Sequence, residues 1–225
     1  MSLTIEMVSD LVCPWCWVGL RRFKTAIALV PDIEVEIVFR PYELDPSIPP
    51  EGTDYKAYMK QRFGSDAGQE RVNAMRAALI QSGHEENIPF AFDKITRRPN
   101  SFNAHRLVRW AQGQSKGLAA KEALFEAFFA QGEDIGDTKT LISIAARIDL
   151  DPDIVSDLLA SDADIETTKQ EQNLFRQMGI SGVPTFIAHR QIAVQGAQSA
   201  EKIARFLQTA AQQTPTERPL ENTPR

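Results

Sequence analysis

The N-terminal residues 1–44 carry the pattern that most restricts how this chain can fold. Apolar side chains alternate over residues 3–7, which is the period of a β-strand with one buried face. A segment of helical period begins at the cysteines and ends before Pro31, and residues 33–39 alternate again. Strand, helix and strand within so short a stretch predict two parallel strands joined by a crossover helix.

The rest of the chain predicts a helical block and then a second pair of strands. From Asp45 to about Gly179 almost every segment has helical period. Strand character returns at "VPTFIAH" and "QIAVQ", which are close enough to form an antiparallel hairpin, and an amphipathic helix follows. Neither two-stranded piece could bury a core alone, so one shared sheet is favoured over two unrelated domains. The predicted class is α/β, with a large all-helical insertion between the second and third strands.

The same pattern divides the chain into four predicted parts. Residues 1–44 and 180–212 form the two halves of the sheet domain, and residues 45–179 form the helical insertion. The C-terminal residues 213–225 are polar and punctuated by proline, and we predict that they are disordered.

The composition argues against several classes of protein. Of the 225 residues, 43% are hydrophobic, which is enough for a buried core. The net charge of −5 and the lack of a basic stripe argue against nucleic acid as a partner. No apolar run approaches the length of a membrane span, so no membrane partner is expected. The N-terminus lacks the features of an export signal, so we expect a cytoplasmic protein, in a compartment where structural disulfides are uncommon.

Both cysteines of the chain, Cys13 and Cys16, lie in the stretch "LVCPWCW". A closed zinc site needs four ligands, and the three histidines, His84, His105 and His189, are scattered, so no metal is expected. A structural disulfide would close a very short loop and would remove little entropy from the unfolded chain. Two buried, inert thiols are the strongest alternative. The cysteine pair lies at the junction of a strand and a helix inside a β-α-β unit, and this position favours a redox function instead.

The spacing of the two cysteines has a direct chemical meaning. The first turn of a helix has N–H groups without partners, and the helix dipole adds positive potential there. We expect the Cys13 sulfur to accept those hydrogen bonds, which favours the thiolate. We expect Cys16 to be more deeply buried on the same side of the turn, so that Cys13 attacks a disulfide and Cys16 resolves the intermediate. Pro14 and Trp15 would tune the pair through rigidity and solvation, and Trp15 could touch the substrate.

Two segments taken together resemble a known family. "SDLVCPWCWVG" and "GISGVPTFI" are similar to the thioredoxin superfamily, and the long helical insertion is typical of its DsbA-like branch. The segments "CPWCWVGLRRF", "PNSFNAHRLVRWA" and "KEALFEAFFAQGEDIGD" more closely resemble the FrnE-like proteins. Those proteins are related to 2-hydroxychromene-2-carboxylate isomerases and kappa-class glutathione transferases. The similarity covers nearly the whole chain except its C-terminal tail.

The resemblance implies a thioredoxin fold and dithiol–disulfide exchange, with Pro184 as a cis-proline that faces the cysteine pair. The backbone of Val183 would pair with an extended peptide or with glutathione lying across the site. The implied partners are proteins or small molecules that carry a thiol or a disulfide. No tightly bound cofactor is implied, glutathione is allowed as a co-substrate, and a homodimer rests on analogy alone.

The chain departs from its relatives in two respects. Thioredoxin and DsbA carry a buried carboxylate six residues before the first cysteine, where it helps to move protons for the resolving thiol, and here that position is Met7. Glu6 is adjacent but should point to the opposite face of the strand, so proton transfer must use another group or water. DsbA also works in an oxidising periplasm after export. For a chain without an export signal, a cytosolic oxidoreductase or disulfide isomerase fits better.

Two other classes of function stay open at this point. A glutathione-dependent isomerase or transferase of the related classes typically has serine where Cys13 stands, because a hydroxyl can hold a thiolate without forming a disulfide. Cysteine at that position, with Cys16 three residues later, favours redox exchange. A non-enzymatic binding module would require an unreactive Cys13, which alkylation with iodoacetamide across a pH series would reveal.

The segment "PNSFNAHRL" supplies two further candidate site residues. Asn100 and His105 could line a groove above Cys13, because the insertion packs over the active site in the proteins that this chain resembles. His105 could also supply a proton or a positive charge to the thiolate. The alternative, which we favour, is that Asn100 or Ser101 caps a helix and that His105 lies at the surface. Glu43 is either an interior acid or a loop charge.

Overall fold

The computed structural model describes residues 2–213. Its strands are β1 (Leu3–Ser9), β2 (Val35–Pro41), β3 (Thr53–Asp54), β4 (Arg97–Arg98), β5 (Thr185–Ala188) and β6 (Ile192–Gln195). Its helices are α1 (Pro14–Ala28), α2 (Tyr55–Phe63), α3 (Asp66–Glu86), α4 (Phe102–Gln112), α5 (Gly117–Glu126), α6 (Thr138–Arg147), α7 (Pro152–Ala160), α8 (Ile165–Gln177) and α9 (Ala200–Gln212). A 3-10 turn at Phe92–Lys94 precedes β4, and a π-helical turn at Ala127–Gln131 follows α5.

Four strands form one mixed sheet in the order β2-β1-β5-β6. The central strand β1 is parallel to β2, with Leu3 opposite Val35, and antiparallel to β5, with Met7 opposite Phe186. Strand β6 adds to β5 in an antiparallel hairpin. The prediction that two separated strand pairs share one sheet in an α/β fold is therefore confirmed.

The segment between β2 and β5 is mostly helical, with one exception to the all-helical expectation. Strands β3 and β4 pair antiparallel, Thr53 with Arg98 and Asp54 with Arg97. A ladder of two residues has no alternation to detect, so its sequence shows no strand period. The four-part division of the chain stays a prediction, and all of its predicted tail except Gln213 lies outside the described residues.

Helix α1 begins where the sequence predicts. Cys13 is extended (φ −101°, ψ 110°) and caps the helix, and Pro14 takes the first helical position, where an N–H is not needed. The helix ends at Leu29, two residues before Pro31. Its buried face belongs to the main hydrophobic core, and Phe23 stacks on Phe186 of β5.

Helices cover both faces of the sheet. On the face that carries Ile5 and Met7, α1 and α9 pack against each other and against the sheet. On the opposite face, Phe175 of α8 packs against Val8 of β1 and Ile187 of β5. The sheet is therefore buried between two helical layers. This packing holds the C-terminal end of β1 in place, and the cysteine turn begins there.

An aromatic cluster fastens the insertion to α1 beside the cysteines. The Trp17 ring stacks on Phe125 and on Phe129, with centroid separations of 6.1 Å in both cases. Phe90 meets the Trp17 ring edge-on at 5.6 Å. Such ring pairs add about 0.5–1.5 kcal/mol each beyond the area they bury. Since Trp17 follows Cys16 directly, α5 and the π-helical turn are held next to the reactive turn.

Candidate active site

Cys13 and Cys16 lie in a tight turn between β1 and α1. The Cys13 amide donates to the Asp10 carbonyl across 3.4 Å, and the Cys16 amide donates to the Cys13 carbonyl across 3.0 Å. Both residues are free thiols, and the charge of Cys13 acts on the pKa of Cys16. The turn therefore holds the two thiols near each other, as exchange chemistry requires.

The Cys13 sulfur faces a loop from the far end of the chain. It lies 3.7 Å from the Val183 carbonyl oxygen, to which the thiol donates, and the Val183–Pro184 peptide bond is cis. Within the described chain, no first-turn N–H donates to this sulfur, which corrects the sequence-based expectation. A protonated thiol is a donor, so it turns toward a carbonyl acceptor rather than toward the helix amides.

The two thiols differ in their access to solvent. Cys16 is fully buried, whereas Cys13 is 5% exposed. Burial, together with the hydrogen bond and charge of Cys13, raises the pKa of the Cys16 thiol well above its ordinary value, while the charge of Lys121 acts in the opposite direction. A substrate can therefore reach Cys13 first, and Cys16 can act only through Cys13.

A groove of about 750 Å³ opens at Cys13. Pro14 and Trp15, both predicted to contact substrate, line it together with side chains of α2, α3 and the π-helical turn. A groove of this volume is in the range of small-molecule sites. The other predicted contact residues do not belong to its lining; they are Asn100, His105, Val183 and Pro184.

The lining of the groove combines apolar surface with positive charge. Its cationic members are Lys56, Lys60, Arg62, Arg76 and Arg98, and over residues 2–213 no aspartate or glutamate contributes to the lining. Arg62 and Arg76 have acidic partners outside the lining set, Asp45 at 3.7 Å and Asp93 at 2.5 Å. A positively charged groove thus occurs in a chain whose net charge is −5.

Arg98 is the most deeply buried of these cations, with 6% of its surface exposed. Its guanidinium lies over the Tyr58 ring, 5.3 Å from the centroid. Its Nη1 atom has no hydrogen-bond partner in the part of the chain that the structure describes. A buried guanidinium is costly unless it is paired, and the charge of Arg98 acts on the buried carboxylates of Asp10 and Glu43.

Asp10 anchors the turn that carries Cys13. It is completely buried, and its carboxylate accepts from the Leu44 amide at 2.8 Å and the Ser101 hydroxyl at 2.9 Å. Burial alone would raise the pKa of Asp10, but its interaction with His105 and the bond from Leu44 help to lower that pKa to about 2. A permanently ionised carboxylate therefore lies directly beneath the reactive turn.

His105 is buried, which corrects the prediction that it lies at the surface. It is 3% exposed, and its Nε2 atom lies 3.6 Å from Asp10 Oδ1, beyond hydrogen-bond range. Burial lowers the pKa of His105, and Asp10 opposes this effect. The helix face that His105 shares with Ser101 is polar because it faces buried Asp10, not because it is exposed to solvent.

Asn100 has the capping role that we favoured from the sequence. Its Oδ1 accepts from the Phe102 amide at 2.9 Å, and its Nδ2 donates to the Ile48 carbonyl at 2.7 Å. Glu43 proves to be an interior acid, 8% exposed and hydrogen bonded to Gln172 Nε2 at 3.1 Å. Neither side chain lines the groove at Cys13.

The described residues contain neither a candidate metal-binding group nor a candidate membrane span. Among residues 2–213, histidine, cysteine, aspartate and glutamate form no group that could hold a metal ion. In the same range, no helix is both long enough and apolar enough to cross a membrane.

The family model of the DsbA-like thioredoxin domain matches residues 4–208. The chain belongs to this family. Its family membership agrees with the resemblance carried by the cysteine turn and the Val183–Pro184 loop, including the FrnE-like branch. YwbO, an uncharacterized protein of Bacillus subtilis (strain 168), is 30% identical over 188 residues, which is 83% of this chain and 87% of that protein.

Solved structures of DsbA-like proteins share the fold. A probable DsbA oxidoreductase from Streptomyces coelicolor has a TM-score of 0.86 and 29% identity, and the match covers 96% of this chain and 93% of that one. DsbM, a cytosolic disulfide reductase from Pseudomonas aeruginosa solved with GSH, has a TM-score of 0.64 and 17% identity, with coverage of 94% and 100%. At that lower identity the likeness shows the fold alone.

Two buried charged residues of this DsbA-like site were missed in the sequence. Asp10 gave no signal beyond the end of a strand. Lys121 did give one, because it shares a helical face with Leu124 and Phe125, three and four residues on, and both are fully buried. The structure places Lys121 within electrostatic reach of Asp10 and both thiols.

Proposed function

We propose that this DsbA-like protein is a thiol–disulfide oxidoreductase whose reactive pair is Cys13 and Cys16. The arrangement of the two thiols supports the proposal most directly: Cys13 lines a groove, and the neighbouring Cys16 is fully buried. The positive end of the α1 dipole favours negative charge on the Cys13 sulfur once its proton is lost. Inert core thiols would need neither the groove nor the helix start.

The proposed reaction has two steps. The Cys13 thiolate attacks a substrate disulfide, one substrate sulfur joins Cys13, and the other leaves as a thiolate. The Cys16 thiolate then attacks the Cys13 sulfur, which forms the Cys13–Cys16 disulfide and releases the second substrate sulfur. Two electrons pass to the substrate, and the reverse sequence oxidises a dithiol or, with partial reversal, isomerises a disulfide. The difference in reduction potential between the pair and its partner sets the direction.

The proposed substrate contacts lie on two sides of Cys13. Pro14 and Trp15 line the groove beside the reactive sulfur. On the other side, the Val183 carbonyl lies 3.7 Å from the sulfur, so Val183 and Pro184 form a backbone edge along which an extended substrate could pair. Asn100 and His105 are not proposed as direct substrate contacts. Asn100 accepts a hydrogen bond from the first turn of α4, and His105 faces Asp10.

We further propose glutathione as a co-substrate of the pair. The groove at Cys13 is lined by five cations and, among residues 2–213, by no carboxylate. Glutathione carries a net negative charge and two carboxylates, so its charge complements that of the groove. DsbM, which shares this fold, was solved with GSH. The cytoplasmic location and the homodimer stay predictions.

Two single substitutions test the oxidoreductase proposal. Cys13→Ala is expected to reduce disulfide exchange by about a thousandfold or more, because the only accessible nucleophile is gone. Cys16→Ala is expected to keep the first step and to accumulate a mixed disulfide on Cys13, because nothing resolves it. Mass spectrometry of the protein after mixing with a disulfide substrate distinguishes the two outcomes.

The alternative function is that of a glutathione-dependent isomerase or transferase. The same two variants, Cys13→Ala and Cys16→Ala, distinguish it from redox exchange. If both variants kept full activity toward an aromatic substrate in the presence of glutathione, neither sulfur would be consumed in the reaction. The redox proposal would then be wrong. A wild-type Cys13 that alkylates no faster than free cysteine would indicate a binding module.

A further inference from the structure

Lys121 is a buried cation that has no role in the exchange reaction as described above. It lies on α5 and has no solvent exposure. Its ammonium lies 5.4 Å from the Phe125 ring centroid and 5.7 Å from that of Phe39. Within the described residues, Nζ has no hydrogen-bond partner. Lysine is almost never fully buried unless it is paired, so this position calls for an explanation.

The surroundings of Lys121 point to the cysteine turn. The charges that act on it most strongly are those of Cys16, Asp10 and Cys13, in that order. Asp10 is held by hydrogen bonds to Leu44 and Ser101 and stays ionised, so it supplies a fixed negative charge but no mobile proton. Cys16 is the neighbour whose proton must leave during exchange.

A small cavity that Lys121 lines supplies a second, independent observation. Its volume is about 10 Å³, which is room for a single water molecule. Three buried polar atoms without partners among residues 2–213 belong to residues that line it: Lys121 Nζ, His105 Nε2 and Thr168 Oγ1. One water there could bond to all three.

The cavity also leads toward charged residues at the protein surface. Arg40, Arg109 and Glu171 complete the titratable part of its lining, and Glu171 pairs with both arginines, at 3.2 Å and 3.0 Å. These three residues are partly exposed. Lys121 therefore interacts electrostatically with the buried thiol of Cys16 and also lines a cavity whose other charged residues are partly exposed.

We propose that Lys121 takes up and returns the proton of the Cys16 thiol during the resolving step. This inference rests on the proposed oxidoreductase function. Because Lys121 Nζ makes no direct hydrogen bond to Cys16, the S–H proton passes to the neutral Lys121 amine through a bridging water molecule. The Cys16 thiolate attacks the Cys13 sulfur of the mixed disulfide, and the substrate leaves as a thiolate. In the reverse direction the Lys121 ammonium returns the proton as Cys16 leaves. The role is the one that Met7 cannot perform.

The acid–base properties of Lys121 suit this exchange. Burial lowers its pKa to about 8, while the charges of Cys16, Asp10 and Cys13 oppose the change. A base with a pKa near the working pH is available in both protonation states. The buried imidazole of His105 faces the same cavity, and its pKa is lowered as well, so it adds little positive charge.

The test separates the two chemical steps within one reaction. Reduced protein is mixed with 5,5′-dithiobis(2-nitrobenzoate), and thionitrobenzoate release is followed at several pH values. Attack by Cys13 releases the first equivalent, and attack by Cys16 on the mixed disulfide releases the second. In Lys121→Met we expect the second phase to slow about tenfold or more at pH 7 and its midpoint to move up by about one pH unit or more, with the first phase changed by less than about threefold. Lys139→Met, at an exposed position, is the control.

Each outcome of the experiment has a defined meaning. An unchanged second-phase pH profile in Lys121→Met would overturn the role of Lys121. If that variant did not fold, Lys121→Gln would be measured in the same way, with the same expectation and the same overturning result. A wild-type protein that released only one equivalent, or none, would instead contradict the proposed exchange reaction itself.

Discussion

At the scale of single residues, the site is built on charges that a stable core would exclude. Asp10, Arg98 and Lys121 are all buried around the cysteine turn. A buried charge lowers stability relative to an apolar side chain of similar volume, so its presence indicates a use. The cysteines and Pro184 were predictable from spacing and resemblance. The partners of Asp10 and His105 were not, because they lie more than thirty residues away along the chain.

The cost of the buried lysine is measurable. Each pH unit of displaced pKa is worth about 1.4 kcal/mol, and burial moves the Lys121 pKa from 10.5 to about 8. Lys121→Met is therefore expected to raise the free energy of unfolding of the reduced protein by about 3 kcal/mol at pH 7. Below pH 8 the lysine is protonated in both states and the wild-type chain bears the full cost. Between pH 8 and 10.5 the folded chain loses the proton first, so the cost shrinks.

Urea unfolding at pH 7 and at pH 9.5 checks this expectation, with Lys139→Met as the control. The advantage of the variant should be smaller at the higher pH. A Lys121→Met protein that was less stable than wild type at pH 7 would mean that the ammonium is paired and stabilising. The same substitution is thus expected to strengthen the fold and to slow the resolving step.

At the scale of elements, the site depends on the contact between α1 and the loop before β5. Hydrophobic period predicted the strands β1 and β2 and the final hairpin, because each has a buried face. It missed the β3–β4 ladder, which is too short to have a period. No local pattern could show how closely α1 approaches Pro184. A Cβ atom added at Gly19 would lie 2.7 Å from Pro184 Cγ, so the helix and the loop touch at a residue without a side chain.

Gly19→Ala is expected to push α1 and Pro184 apart. Alanine inside a helix ordinarily stabilises by about 1 kcal/mol relative to glycine, but here the added methyl group must displace Pro184 or α1. We expect a lower melting temperature and an exchange rate reduced by about tenfold, since Val183 moves away from the Cys13 sulfur. Calorimetry and the thionitrobenzoate assay measure the two effects.

Gly113→Ala is the matched control, because the nearest atom there is the Trp110 carbonyl oxygen at 3.4 Å and the backbone is right-handed (φ −58°). That variant should keep wild-type activity. If Gly19→Ala were as stable and as active as wild type, the loop would be free to adjust, and its contact with α1 would not position Val183.

At the scale of the whole molecule, charge is unevenly distributed. The chain is acidic overall, yet the groove at Cys13 is lined by cations and, over residues 2–213, by no carboxylate. Composition gave the net charge but not this separation, because the cations come from α2, α3 and β4 and meet only in the folded insertion. An anionic substrate would be repelled by the protein as a whole and attracted at the site.

The rate of reaction with charged disulfides tests the groove. Reduced protein should react with glutathione disulfide more slowly as ionic strength rises, by about fivefold between 0.05 M and 0.5 M salt, because the attraction is screened. The neutral 2-hydroxyethyl disulfide should show little change. Arg98→Gln should slow only the glutathione reaction, by about tenfold, and the exposed Arg205→Gln should slow neither. Equal salt dependence for both disulfides would argue against an anion-binding groove.

The place of β1 in the sheet has a consequence for how the protein is made. Its partner β5 lies at Thr185–Ala188, so one edge of the central strand has nothing to pair with until β5 has left the ribosome. At synthesis rates of about 5–20 residues per second, that wait is on the order of ten seconds or more. Throughout it, a nascent chain bearing two unprotected sulfurs also presents a bare strand edge, the kind of surface on which newly made proteins stick to one another. The demand on molecular chaperones should therefore be greatest just before β5 leaves the ribosome.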